Sequence, residues 1–180
     1  FGRRPHTRDL AGVDVAILGV PYDSSTSYRS GARFGPRAIR EQSLLLWGYN
    51  NAQQVAPFEV LSVVDYGDVD VVPVHILATH RAIEETSATI LEAGTQLITL
   101  GGDHSITGPI VSAIAGKGAR LTGGKKAALV HFDAHTDAYD HMPHWLGAIR
   151  SAAHWAAHIV TDKHIDASKS VQIGLRGNTF

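Results

Sequence analysis

Short apolar runs alternate along the chain with amphipathic stretches, and polar loops separate them. Residues 13–20 (VDVAILGV) are almost continuously apolar, rich in β-branched side chains and ended by Pro21, which predicts a buried strand. Phe34-Gly35-Pro36 predicts the opening of a helix that runs to about Trp47, with Pro36 near the first turn, where a missing N–H costs little. Residues 60–64 read as a second strand closing on Asp65-Tyr66-Gly67-Asp68. Residues 74–93 read as a helix whose apolar stripe is Ile76, Leu77, Ile83, Ile90 and Leu91. A third strand, 96–100, runs into Gly101-Gly102-Asp103-His104-Ser105, and a helix capped by Ser105 follows to about Ala115. Beyond a polar, glycine-rich loop at 116–126, a fourth strand at 128–132, a helix at about 146–160 and a fifth strand at 171–175 complete the pattern.

Strands that alternate with helices predict right-handed βαβ units, a parallel sheet and the α/β class. The 180 residues suit one domain with a sizeable core. Ligands of such sheets collect at the carboxyl ends of the strands. Pro21-Tyr22-Asp23, Asp65 to Asp68, Gly101 to Ser105 and Asp133 to Asp137 all follow predicted strands and therefore share one rim.

Composition narrows the function. A net charge of −1 with scattered lysines and arginines argues against nucleic acid as the main partner. No apolar run is long enough to span a bilayer, and residues 1–5 have no hydrophobic signal region, so no membrane partner is expected. The chain has no cysteine, which removes disulfides and thiolate metal sites and suits a reducing compartment; a cytoplasmic location is the expectation. Its 11 histidines favour metal or acid–base chemistry.

The densest chemistry is HFDAHTDAYD, beginning at His131. In an extended chain residues i, i+2 and i+4 share a face, with a rise of about 3.3 Å per residue. Asp133, His135 and Asp137 then stand on one side, about 7 Å apart between neighbouring Cα atoms. Converging carboxylates repel one another unless a positive charge lies between them, and a divalent cation supplies one. His104, carried past the neighbouring strand by Gly101-Gly102, adds a second imidazole, and Asp103 stands where it can orient a ligand. Two imidazoles and two carboxylates suit Mn²⁺, Fe²⁺, Co²⁺, Ni²⁺ or Zn²⁺. Two ions with a bridging carboxylate would share a hydroxide nucleophile.

GGDHS at 101–105 together with DAHTD at 133–137 resembles the ureohydrolase (arginase/agmatinase) family. GVPYD at 19–23, SGARFGPRAIR at 30–40, VDYGDV at 64–69 and VQIGLRG at 171–177 extend the resemblance collinearly, and the first two look more like agmatinases than arginases. The resemblance implies an arginase-like three-layer α/β/α fold with a mainly parallel central sheet, and a binuclear Mn²⁺ centre. In it His104, Asp133 and Asp137 bind one ion, His135 and Asp133 bind the other, and Asp133 bridges. The bridging hydroxide attacks the guanidinium carbon, and the tetrahedral intermediate collapses to urea and an amine. With agmatine as substrate, this is a step of polyamine metabolism that yields putrescine. The family also implies a homo-oligomer.

Two departures stand out. The family's SxDxDxxDP motif, whose aspartates complete both metal shells, is absent. The chain is therefore read as a single ureohydrolase domain, 1–180, truncated after the fifth strand, incomplete at its C-terminal side and inactive by itself. The family's proton-handling histidine also lacks a secure counterpart: His154 is preferred and joins Asp137 as a catalytic residue, with His141 and His144 as rivals. His154 and His158, four apart on the expected helix, form a further pair that would be able to clamp an ion. For the substrate tail, Tyr22, Asp23 and Asp140 suit a cationic amine such as that of agmatine, whereas Arg29 or Arg33 suits the carboxylate of a guanidino acid. Guanidine is a further substrate of the same class. Readings of another kind are a one-zinc, histone-deacetylase-like amidohydrolase and a degenerate, non-catalytic metal-binding subunit.

Overall fold

A computed structural model describes residues 1–140 and 148–177. Its centre is strand β1, Val15–Val20, whose residues from Ala16 onward are all buried, as an unbroken apolar run in the middle of a parallel sheet should be. β1 is flanked by β2 (Val63–Asp68) and β3 (Gln96–Gly101), in the order β2-β1-β3, and both pairings are parallel. Between β1 and β2 lie α1 (Gly35–Ser43) and a single turn, α2 (Pro57–Val60). α3 (Ile76–Glu92) makes the crossover from β2 to β3, and α4 (Thr107–Ile114) follows β3. β4 (Val130–Phe132) and β5 (Val171–Ile173) form a second parallel ladder with His131 opposite Gln172. Between them lies α5 (Trp155–Thr161). Among the described residues the two ladders do not hydrogen-bond to each other, so the strands form two parallel pieces.

The predicted α/β class and parallel strands are present, and the corrections concern boundaries. Residue 60 was expected to open the second strand; Val60 instead ends α2, which Pro57 starts by fixing its backbone at the first helical position. β2 therefore begins at Val63 and contains Asp65 to Asp68, which were expected to follow it. Asp65 is tolerated inside a buried strand because the Arg40 guanidinium donates to both of its oxygens, from Nε at 2.8 Å and from Nη2 at 2.9 Å. α1 stops at Ser43 rather than near Trp47, whose side chain is 92% exposed and gives a further turn nothing to bury. The helix expected from 146 begins only at Trp155 among the described residues.

Three buried clusters hold the elements together. Ala16, Leu18, Val20, Val64, Ile83, Ile90 and Ile106 join one face of β1 and β2 to α3. Ile17, Val63 and Leu100 fill the other face. Val111, Trp155, Ala156, Ile159 and Ile165 fasten α5 to α4. Each of the valines, leucines and isoleucines among them, when fully buried, contributes about 1.5–3 kcal/mol. No helix among the described residues is long and apolar enough to cross a membrane.

Candidate metal centre

The turn after β3 sets the first ligand. Gly102 has φ 75°, and a Cβ there would collide with the carbonyl oxygens of Val20 and Tyr22, so only glycine lets the chain lie this close to the end of β1. Asp103 then caps the 3₁₀ turn His104–Ile106: its Oδ1 accepts from the Ser105 N–H at 2.8 Å, and its Oδ2 accepts from the Ser25 N–H at 2.9 Å. The cap is therefore Asp103 and not Ser105, whose amide has become the donor. Burial raises the Asp103 pKa, and Asp23 nearby adds to the rise against the opposing hydrogen bonds from Ser105 and Ser25. Asp103 thus holds the turn that carries His104 and ties it to the loop after β1.

His104 Nδ1 lies 2.7 Å from Asp137 Oδ2 and 2.9 Å from Asp133 Oδ2. Burial lowers the His104 pKa, but Asp137 and Asp133 outweigh it and hold the imidazole above its usual range. Burial likewise pushes Asp133 up, and the His135 amide together with His104 and His131 more than reverses this. Asp137 has φ 48°, a left-handed conformation that costs an ordinary L-residue on the order of 1 kcal/mol and that Asp tolerates better than most. α5 fixes it there: the Ala156 N–H donates to its carbonyl at 3.0 Å, and the Trp155 indole Nε1–H donates to its Oδ2 at 2.9 Å.

Ligand atoms of His104, His131, Asp133 and Asp137 all lie within 4.8 Å of one another. Donors around one ion at about 2.1 Å are at most about 4.2 Å apart, so small rotations would close His104, Asp133 and Asp137 on a single cation. One imidazole nitrogen facing two carboxylates also has at most one proton to give, whereas a divalent ion would satisfy both. The donor set therefore fits a first-row divalent metal.

His131 was not expected in this cluster. Gln172 on β5 explains its state. The Gln172 amide nitrogen donates to the Thr136 carbonyl at 2.7 Å, and a carbonyl can only accept. The same nitrogen lies 2.9 Å from His131 Nδ1, which is then the acceptor, so the ring proton sits on Nε2. Nε2 faces Asp133 Oδ2 at 3.4 Å. In this tautomer Nε2 is buried without a hydrogen-bond partner among the described residues and offers no lone pair to a metal, which leaves His104, Asp133 and Asp137 as the donors of the cluster.

His135 stands on the other side of Asp133. Its Nδ1 is 3.7 Å from Asp133 Oδ1, and its side chain is largely exposed. Tyr22 and Asp23 are buried, and Tyr22 lines a cavity with Ser25, Ile76 and Ser151. Asp23 accepts from the Arg33 Nε–H at 2.6 Å and the Arg33 amide at 3.1 Å. Burial favours the neutral acid, yet these bonds and the Gly31 amide hold the Asp23 pKa below its usual value. Asp140 is exposed. His154 precedes α5 and is fully buried, its Nδ1 accepting from the Ser151 amide at 3.2 Å and standing 2.8 Å from the Ser151 hydroxyl. His158 Nε2 lies 2.7 Å from the Ile149 carbonyl, so the two imidazoles are turned to different partners and form no clamp. His141 and His144 lie outside the described residues.

A model of the arginase family matches residues 13–180. This chain belongs to the arginase family. It is 41% identical to a guanidinobutyrase of Pseudomonas aeruginosa over 99% of its own length and 54% of the relative's. It is 43% identical to an agmatinase of Chromobacterium violaceum over 98% of its length and 52% of the relative's. Among solved structures, proclavaminate amidino hydrolase from Streptomyces clavuligerus superposes with a TM-score of 0.87 at 34% identity, covering 98% of this chain and 56% of that one. The chain thus spans about half the length of these arginase-family relatives. His131 and Trp155 are the site residues that sequence reasoning missed. His131 opens the same HFDAHTD stretch, but its state depends on Gln172, 41 residues away.

Proposed function

We propose that the protein hydrolyses a linear guanidino compound, with agmatine the first candidate, to urea and an amine in a centre built for two divalent ions, Mn²⁺ first among them. The observation that carries this reading is the division of the Asp133 carboxylate. Its Oδ2 faces His104 and its Oδ1 faces His135, so one residue presents an oxygen to each of two imidazoles. His104, Asp133 and Asp137 would hold one ion, and His135 with Asp133 the other; Co²⁺, Ni²⁺, Fe²⁺ and Zn²⁺ suit the same donors. A bound pair of ions supplies a water whose pKa lies near neutrality. The chain's own contribution is to fix the carboxylates, through the His135 amide on Asp133 and the Trp155 indole on Asp137, and to shape the rim that meets the substrate. The activity belongs to a full-length protein in which further carboxylates complete both shells, as the chain's coverage of about half of each relative supports.

A guanidino acid is the second substrate reading, and a specific observation favours it. Asp23, the carboxylate expected to meet a cationic amine, is already neutralised by Arg33. Arg29, on the same loop, is exposed, stacks on Tyr28 and makes no ion pair among the described residues. Asp140 remains the candidate for an amine. Urea release by the metal-loaded, full-length protein, assayed on agmatine and on guanidinobutyrate, tests both readings. Faster turnover of agmatine supports the first. Faster turnover of guanidinobutyrate, with the preference lost in Arg29→Ala, supports the second. Metal uptake without urea from any guanidino compound would instead support a non-catalytic metal-binding subunit.

A further inference from the structure

We infer that Trp155 is a positioning residue of the metal centre: its indole N–H holds Asp137 in the orientation that leaves the remaining carboxylate lone pairs for the ion, and its ring fixes the plane of His104. The inference rests on the metal reading above and extends it to a residue outside the ligand set.

Trp155 is the first residue of α5 and is 3% exposed. An indole N–H is only a donor and needs an acceptor when buried. Here the acceptor is Asp137 Oδ2, at 2.9 Å. An N–H that can neither accept nor ligate occupies one lone pair of that oxygen whether or not a metal is present, and so limits rotation of the carboxylate. The ring centroid lies 4.7 Å from that of His104, tilted by 40°, and 5.1 Å from that of His131, edge on at 74°. One side chain therefore touches three of the four residues in the ligand-atom cluster. The far side of α5 anchors this wall, because Val111, Ile159 and Ile165 pack with Trp155 in one buried cluster.

Groups that orient metal ligands typically contribute ~10–100-fold in metal affinity. The test is Mn²⁺ binding, measured by titration calorimetry, to the full-length wild-type protein and to Trp155→Phe, which keeps an aromatic ring and removes the N–H. The expected result is a Kd ~10–100-fold weaker in Trp155→Phe, with an unchanged circular dichroism spectrum. Equal affinity in the two proteins overturns the inference and leaves the metal centre standing. A wild-type protein that takes up no Mn²⁺ overturns the metal centre and the inference together. A second measurement keeps Trp155 itself, for the case in which the phenylalanine variant does not fold. In a full-length protein in which every other tryptophan, Trp47 and Trp145 among them, is replaced by Phe, the emission of Trp155 should be quenched by paramagnetic Mn²⁺ over the concentration range of binding. Emission that persists at saturating Mn²⁺ overturns the placement of Trp155 against the ion.

Discussion

Asp133 Oδ2 lies 2.9 Å from His104 Nδ1, although the strands that carry these two residues share no ladder among the described residues. The loops and α5 make this junction. Asp103 binds the His104 turn to Ser25, the Ser25 carbonyl accepts from the Ala152 amide at 2.9 Å, and α5 grips Asp137. The candidate centre is therefore held by a ring of tertiary contacts around the strand ends, and each link can be cut separately.

Remote from the metal ligands, Arg40 and Asp65 give the fold an acid-sensitive joint. Burial raises the Asp65 pKa, but the hydrogen bonds it accepts, led by those from the Arg40 guanidinium and joined by the Gly67 amide, bring it down from 3.8 to about 2. A carboxylate with a depressed folded-state pKa stabilises the fold above its unfolded pKa and loses that contribution as the pH falls through the folded value. The contribution is about 2 kcal/mol, present above pH ~4 and lost towards pH ~2. Arg40→Met should lower Tm at neutral pH and bring the two proteins' stabilities closer together as the pH falls from 5 to 2. Thermal unfolding of both proteins across that range checks this; a constant difference in stability at every pH contradicts it.

Two roles for His154 predict different kinetics. If it handles protons at the reacting centre, His154→Asn lowers the maximal rate ~10²–10⁴-fold and alters the pH profile, with metal content intact. If it is a packing residue, stability falls and the pH profile stays. Its complete burial and its bond from the Ser151 amide favour the packing role. Parallel pH–rate curves with a lowered Tm are the expected outcome; a displaced curve at wild-type Tm would restore the catalytic assignment.

The readable part of this molecule was the part written in local pattern. An unbroken apolar run announced β1, and glycines followed by Asp-His marked the turn that carries His104, a candidate ligand. Asp133 and Asp137 do meet with His104 between them, but not through the extended i, i+2, i+4 geometry expected: the chain bends at Ala134 and His135, Asp137 is left-handed, and His135 stands apart from the cluster. What escaped depends on partners distant in sequence. Asp65 looked like a loop residue because its strand position is made tolerable by Arg40, 25 residues earlier. α2 is a single turn, too short for a periodicity to appear. That Asp23 is already paired could not be read, because the pattern did not disclose that Arg33 folds back onto its carboxylate. Trp155 acts at the site through the packing of α5, which no residue spacing records.

The central claim is that Asp133 joins two metal positions. In the full-length protein, metal content by elemental analysis, measured together with urea release, compares wild type and Asp133→Asn most directly. Removing one charge between two cations removes the largest electrostatic contribution of the site. The account predicts two ions per wild-type chain. It also predicts that both are bound weakly in Asp133→Asn and that hydrolysis is abolished. A variant that retains both ions and wild-type turnover would contradict it.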